Sequence, residues 1–220
     1  MTLFENRSEA GRKLASALKD ISRNSVVLAI PRGGVVVGYE VAKALQIPLD
    51  IIITRKIGAP GNPELAIGAV AEDGTYVLDN SLVEMLGVAQ DYIETEAQNQ
   101  KNEIKRRLQK YRGDTAGPVL IGKEVVVVDD GVATGSTLKA ALLSLTKVGA
   151  KSIIVAVPVG PADTVKALKR HADRVVCLNM PEPFYAIGEF YEDFSQTTDE
   201  EVIDLLRRVR EDQRVKEVTS

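Results

Sequence analysis

The stretch Val125–Thr137, VVVVDDGVATGST, decides the fold. Its β-branched run reads as a strand, Glu124–Val128, buried on both faces, the pattern of a parallel sheet covered by helices on either side. Two adjacent carboxylates, Asp129 and Asp130, follow it, then a loop of small residues, then a helical pattern over Ser136–Val148. In open parallel sheets ligands bind beyond the carboxyl ends of the strands. A helix N-terminus there offers free backbone N–H groups to a phosphate, and small residues let the backbone come close to it. Thr134, Ser136 and Thr137 add hydroxyl donors. The aspartates can accept from vicinal sugar hydroxyls or hold the waters of a magnesium ion. Together these groups match a ribose 5-phosphate. The string is neither GxxxxGK[ST], since no lysine precedes the hydroxyl, nor GxGxxG.

Outward from this stretch, four similar runs read as strands: Ser25–Ile30, Leu49–Thr54, Ser152–Val157 and Arg174–Leu178. Helical patterns lie between them at Gly34–Leu45 and Ala162–His171. The alternation predicts an α/β, doubly wound, mostly parallel five-stranded sheet, Rossmann-like. Ala66–Asp79 carries Asp-Gly between apolar flanks and reads as a hairpin. Asp91–Arg112 reads as a long polar helix, closed by Gly113–Gly117. An amphipathic helix opens the chain at Arg7–Ile21, and Thr198–Arg210 closes it, with Thr198 and Glu201 as a capping box. A single domain over 1–220 is expected, with an insertion at about 64–117.

Composition excludes several classes. The chain has 220 residues, 45% apolar and 27% charged, with a net charge of −3 and one cysteine. No global basic field recruits nucleic acid, and no internal disulfide framework is available. The opening MTLFENRSEAGRKL has no apolar core of a secretory signal, and no run approaches the ~20 apolar residues of a membrane span. A soluble, cytoplasmic protein is expected.

At Val125–Thr137 the chain resembles the type I phosphoribosyltransferases. The resemblance implies that Asp129 and Asp130 contact the ribose hydroxyls of phosphoribosyl pyrophosphate, and magnesium through water or those hydroxyls. It implies that Ala133, Thr134, Gly135, Ser136 and Thr137 cradle the 5-phosphate. Two further loops are similar. Pro31-Arg32-Gly33-Gly34, after the first strand, resembles the family's pyrophosphate loop, so Arg32, Gly33 and Gly34 are expected on pyrophosphate and Pro31–Arg32 is expected to be cis or strained. RKIGAPGNPE, Arg55–Glu64, resembles the matching segment of the adenine enzymes; its Arg-Lys pair is also that of the orotate enzymes. Arg55 and Lys56 are expected to stabilise the leaving pyrophosphate, on a loop that Pro60, Gly61 and Pro63 make irregular and mobile. Ala59 stands where the family carries a loop lysine.

The acceptor is less determined. The 6-oxopurine enzymes have an aspartate where this chain has Ala133, and a lysine where it reads Val157-Pro158-Val159. The segment MPEPFYAIGEFYEDF nevertheless resembles their hood, expected here at about 180–196. It holds five of the chain's four Phe and six Tyr within eleven residues: Phe184, Tyr185, Phe190, Tyr191 and Phe194. Phe184 and Tyr185 are expected to meet the base, and Phe190 and Phe194 to pack. Lys101–Arg112 holds six cations and one acid, and reads as a solvated helix face; Glu189–Asp204 holds seven acids, and could pair with it across a dimer. His171 and Cys177 are not expected to act chemically.

The function expected is transfer of ribose 5-phosphate from phosphoribosyl pyrophosphate to a nucleobase-like acceptor, a purine by preference, by a homodimer. Two alternatives stay open: a non-catalytic regulator on the same fold that senses phosphoribosyl pyrophosphate or a nucleotide and binds RNA or a protein, and an enzyme of this class whose acceptor is not a nucleobase.

Overall fold

The computed structural model describes residues 2–219, with side chains through 212. Five parallel strands form the main sheet: β1 Val26–Ala29, β2 Leu49–Ile51, β6 Glu124–Val128, β7 Ser152–Val159 and β8 Arg174–Asn179, in the order β2-β1-β6-β7-β8. All five expected strands are present, but the second stops at Ile51, and Thr54, expected at its end, belongs to a separate strand. Their side chains split by alternation. Val27, Ala29, Val126, Val128, Ile154 and Ala156 join one core. Val26, Leu28, Val125, Val127, Ile153 and Val155 join the other. Both faces are covered, so the strands read as unbroken β-branched runs. Helix α2, Gly33–Leu45, packs into the first core; helix α5, Ser136–Val148, packs into the second.

The order reverses between β1 and β6. The chain leaves β1 toward β2 on one side, and leaves β6 toward β7 and β8 on the other. This is the switch point at which open α/β sheets bind ligands. Register places Ala29 beside Val128, so the loops after β1 and β6 emerge together.

Between β2 and β6 lies a second, antiparallel sheet: β3 Thr54–Ala59, β4 Asn62–Ala71 and β5 Tyr76–Leu78. The β4–β5 pair is the expected hairpin. The β3–β4 pair corrects the reading of Arg55–Glu64 as an irregular, mobile loop. Pro60 and Gly61, the latter at φ 74°, form a tight turn with the Pro-Gly choice of a type II turn, so these residues close a hairpin rather than break one. Ile57, Ala59, Ile67 and Ala69 are buried within it.

Helix α3, Asn80–Leu86, was not expected; Asp79 caps it through Leu82 N–H at 3.1 Å, and Gly87 ends it at φ 60°. Helix α4, Gln90–Arg112, follows, burying Ile93, Ala97, Ile104, Leu108 and Tyr111 along one face. Helix α1, Arg7–Ser16, is shorter than its amphipathic pattern, and α6 spans Ala162–Leu168. The last helix, α7 Asp199–Thr219, starts at the expected capping box: Glu201 N–H donates to Thr198 Oγ1 at 3.1 Å, and Thr198 N–H to Glu201 Oε2 at 2.7 Å. Among the described residues no helix is long and apolar enough to cross a membrane.

Candidate functional site

β6 delivers Asp129 and Asp130 at the switch point. The backbone N–H of Asp130 donates to Asp129 Oδ1 at 2.8 Å, fixing the first carboxylate against its own loop. The second is held from far away: Arg7 Nε, at the start of α1, donates to Asp130 Oδ2 at 2.7 Å. Arg7 also donates to the Ser195 carbonyl at 2.7 Å, and its guanidinium lies 3.8 Å from the centre of the Phe194 ring. Burial, reinforced by the neighbouring Asp130 carboxylate, pushes Asp129 well above the ordinary carboxylate range. Burial raises Asp130 too, and the Arg7 guanidinium opposes the shift.

The loop after β1 closes on this pair. Pro31–Arg32 is a cis peptide, as expected. A Cβ on Gly33 would lie 1.9 Å from Asp130 Oδ2, and one on Gly34 2.9 Å from Asp129 Cα. Only glycine leaves the room these carboxylates occupy. Arg32 Nη1 lies 3.8 Å from Asp199 Oδ1 at the start of α7.

After the aspartates the chain runs into the N-terminus of α5. Gly135 caps it at φ 75°. Ala133 and Thr134 are exposed, Ser136 and Thr137 partly so, and Thr164 Oγ1 anchors the loop by donating to the Ala133 carbonyl at 2.7 Å. The arrangement is an open anion cradle of backbone and hydroxyl donors.

Arg55 and Lys56 stand on β3, beside this cradle. With Pro31, Arg107, Tyr111 and Thr137 they line a cleft of about 280 Å³. Arg55 Nε donates to Gln100 Oε1 at 2.9 Å, and Lys56 Nζ pairs with Glu64 at 2.8 Å. The structure thus brings together the loops after β1 and β6, strand β3 and the start of α5.

The C-terminal aromatic segment folds over the aspartate loop. Tyr191 Oη donates to the Asp130 carbonyl at 2.6 Å, and a Cβ on Gly131 would touch Ile187 at 2.6 Å. Phe190 is buried, and Phe184 packs on it with ring centres 5.1 Å apart. Tyr185 is 78% exposed. Sequence reasoning missed Arg7 and Tyr191, which hold the aspartate loop, and Thr54 and Arg107, which also line the cleft. Only Tyr191 carried a signal, its place in the aromatic cluster.

The basic helix face and the acidic stretch meet within one chain. Lys110 Nζ pairs with Asp199 Oδ2 at 2.5 Å, and Tyr111 Oη donates to Asp199 Oδ1 at 2.6 Å. Arg112 is not on a solvated face: it pairs with buried Asp50 at 3.1 Å and donates to the Ile51 carbonyl at 2.7 Å. The packing of α4 against the second sheet draws Arg112 inward, while Lys105, Arg106 and Lys110 stay exposed as expected.

The family model described as phosphoribosyl transferase domain matches residues 4–195. The chain belongs to the type I phosphoribosyltransferases. It is 44% identical over 213 residues, 96% of its length, to proteins from two strains of Mycobacterium tuberculosis, both provisionally named phosphoribosyl transferases. It spans about half the length of these curated relatives, 48%. The crystal structure of TT1426 from Thermus thermophilus is similar at 43% identity and a TM-score of 0.81, over 94% of this chain and 99% of that one. AQ2163 from Aquifex aeolicus shares the fold at 15% identity and a TM-score of 0.51, over 83% of this chain and 78% of that one. The aspartate pair and the anion cradle lie within the residues 4–195 that the family model matches.

Proposed function

We propose that this phosphoribosyltransferase uses phosphoribosyl pyrophosphate and magnesium to transfer ribose 5-phosphate to a nitrogenous base, with a purine favoured, releasing pyrophosphate. One observation carries the reading. Two raised, partly buried carboxylates are walled by Gly33 and Gly34 on one side and run directly into the anion cradle at α5 on the other. Such a pair is costly to keep unless it meets hydroxyls or a cation.

In this reading Asp129 and Asp130 accept from the ribose hydroxyls, and Ala133–Thr137 hold the 5-phosphate. Arg32, the loop amides at Gly33 and Gly34, Arg55 and Lys56 stabilise charge as it develops on the diphosphate. Breaking the bond at C1 of the ribose leaves an oxocarbenium-like centre, and most of the catalysis is orientation and electrostatics. The residues fit magnesium in one form. Asp129 makes no ion pair among the described residues, yet no group of three or more acidic, His or Cys side chains there could hold an ion alone. Asp129 and Asp130 would hold magnesium through water or the ribose hydroxyls, and the ion would supply charge neutralisation. Phe184 and Tyr185 would meet the base, Tyr185 from its exposed position.

The test is pyrophosphate release from phosphoribosyl pyrophosphate and magnesium across a panel of purines, pyrimidines and non-nucleobase amines. Release with a purine supports the reading. Release only with a non-nucleobase amine keeps the transfer and removes the base. No release with any acceptor overturns it.

A further inference from the structure

The structure assigns Arg107 and Thr54, which lie on none of the family's motif loops, to the anion site beside the aspartates: they complete with Arg55 a pocket for the pyrophosphate group. The inference deepens the proposed phosphoribosyl transfer and rests on it. It addresses one feature of this chain, that Ala59 stands where a loop lysine is expected.

Three observations carry it. The first is position. The cleft of about 280 Å³ is bounded by Pro31 of the β1 loop and Thr137 of α5, so it opens onto the same switch point as the aspartates. Its size falls just under the roughly 300 Å³ at which small-molecule pockets begin, suiting a diphosphate better than a nucleoside. The second is charge. Arg55 has a neutral hydrogen-bond partner, Gln100, and it is partly buried. Arg107 donates to Glu103 at 3.0 Å, but Arg106 takes the same carboxylate at 2.7 Å. Three guanidiniums thus face one nearby acid, with Glu96 further along α4 bound to Gln100. Burial, then Arg107, depresses Arg55, the mark of cations held close without a sufficient counter-charge. Guanidiniums are the side chains that grip phosphate oxygens by paired N–H groups. The third is an orphan. Thr54 lines the cleft, is 9% exposed, and its Oγ1 is buried without any hydrogen-bond partner. Buried hydroxyls are almost always satisfied. A phosphate oxygen in the cleft would satisfy this one once the side chain turns toward it.

Arg107 therefore does from a rigid helix what a mobile loop lysine does elsewhere: it puts a cation on the departing diphosphate. Lys56 is engaged by exposed Glu64 and sits at the outer rim, free to exchange partners.

Calorimetry with inorganic pyrophosphate and magnesium tests the assignment on wild type, Arg107→Gln, Arg107→Lys and Thr54→Val, each checked for folding by its thermal melt. Arg107→Gln is expected to weaken binding roughly 10- to 100-fold, the loss of a charged hydrogen-bond pair. Arg107→Lys should recover part of it. Thr54→Val should bind about 3- to 10-fold more weakly while melting higher, because the unsatisfied hydroxyl is gone; a merely structural Thr54 would not lose binding as it gains stability. Wild-type binding unchanged in Arg107→Gln and Thr54→Val overturns the assignment, and so does a wild type that binds no pyrophosphate. The transfer assay separates the two readings. Pyrophosphate release with full activity in Arg107→Gln removes this inference and leaves the transfer standing. Pyrophosphate binding lost in Arg107→Gln, with no release by wild type, removes the transfer and leaves the anion site.

Discussion

Arg7 Nε reaches Asp130 Oδ2 at 2.7 Å across 123 residues of sequence, tying the first helix to the strand end that carries the paired acids. Both side chains are nearly covered, 11% and 13% exposed. Removing one partner of such a pair leaves the other charge buried and unmatched. Arg7→Gln is expected to destabilise the protein by about 3 kcal/mol, measured by chemical denaturation. Much less of that loss should appear in an Asp130→Asn background, since neighbouring sites are not additive. Equal losses in both backgrounds would show that the pair is not coupled. Because Arg7 also grips the Ser195 carbonyl and the Phe194 ring, its loss should speed hydrogen exchange in the aromatic segment.

The double variant Asp129→Asn/Asp130→Asn should fold and lose transfer by about 100-fold or more, the scale of removing a charged group aimed at reacting atoms. Retained full activity would refute the roles given to both. Asp129→Asn alone separates function from stability. Burial and Asp130 raise Asp129, so the folded state holds a proton that the unfolded chain releases. Stability then falls as pH rises from the ordinary carboxylate range toward the folded pKa. The asparagine removes that slope and still accepts from Asp130 N–H. Its thermal melt at pH 7 should lie above wild type while its activity lies below.

Gly33→Ala tests the wall between the β1 loop and the acids. Its Cβ would meet Asp130 Oδ2 at 1.9 Å and Arg7 Nε at 2.6 Å, so the ion pair must move. A stability cost of about 1–3 kcal/mol is expected, with a larger loss in affinity for phosphoribosyl pyrophosphate measured by calorimetry. An alanine variant that binds like wild type would mean that the acids do not need their present place.

Strands β1, β2, β6 and β7 were legible because each is buried on both faces, and β-branched runs such as Val125–Val128 leave no other place for themselves; β8, half-buried along its length at the sheet edge, was legible from Val175 and Val176. The aspartates, the β1 loop and the α5 cradle were legible for a related reason: strand end, small residues and helix start follow one another without interruption. Strand β3 was not. Its alternation is broken by Gly58, whose Cβ position is filled by Pro63, and Pro60-Gly61 looks like disorder until the turn is seen to close a hairpin. Helix α3 buries none of its residues, so its only signals were its caps, Asp79 and Gly87. Arg7 could not be read at all, because what ties it to Asp130 is proximity across the fold, and proximity alone brings Arg107 to the cleft beside Arg55. Arg7 looked like one more polar residue on an amphipathic helix.

Asp199 gathers Lys110, Tyr111 and, at 3.8 Å, Arg32 within one chain. The hydrogen bonds of Lys110 and Tyr111 hold its carboxyl below the ordinary range. A lowered folded pKa contributes stability that is present above the unfolded value and lost as pH falls through the folded one. The group is largely solvated, so the contribution is small. Asp199→Asn should therefore lower stability at neutral pH by under about 1 kcal/mol, and the gap to wild type should close in acid. Salt should shrink it as well, without changing the oligomeric state seen by light scattering. A salt-sensitive change of that state would instead place the basic and acidic segments across a dimer.

Cys177 sits on β8 with its thiol donating to the Asn179 carbonyl at 3.2 Å. Burial pushes its pKa up to about 11, against an ordinary 9.0. The thiolate is the reactive form, so at pH 8 the folded protein should react with a disulfide reagent far more slowly than the unfolded one. The same shift sets an alkaline limit. Between pH 9 and 11 the unfolded thiol ionises while the folded one stays protonated, so the folded state loses stability as pH rises through that window. Cys177→Ser cannot show that loss, because its hydroxyl does not titrate there. Denaturation of both proteins at pH 8 and pH 10.5 should give a gap that shifts in favour of the serine variant at the higher pH; a gap independent of pH would mean that Cys177 is solvated.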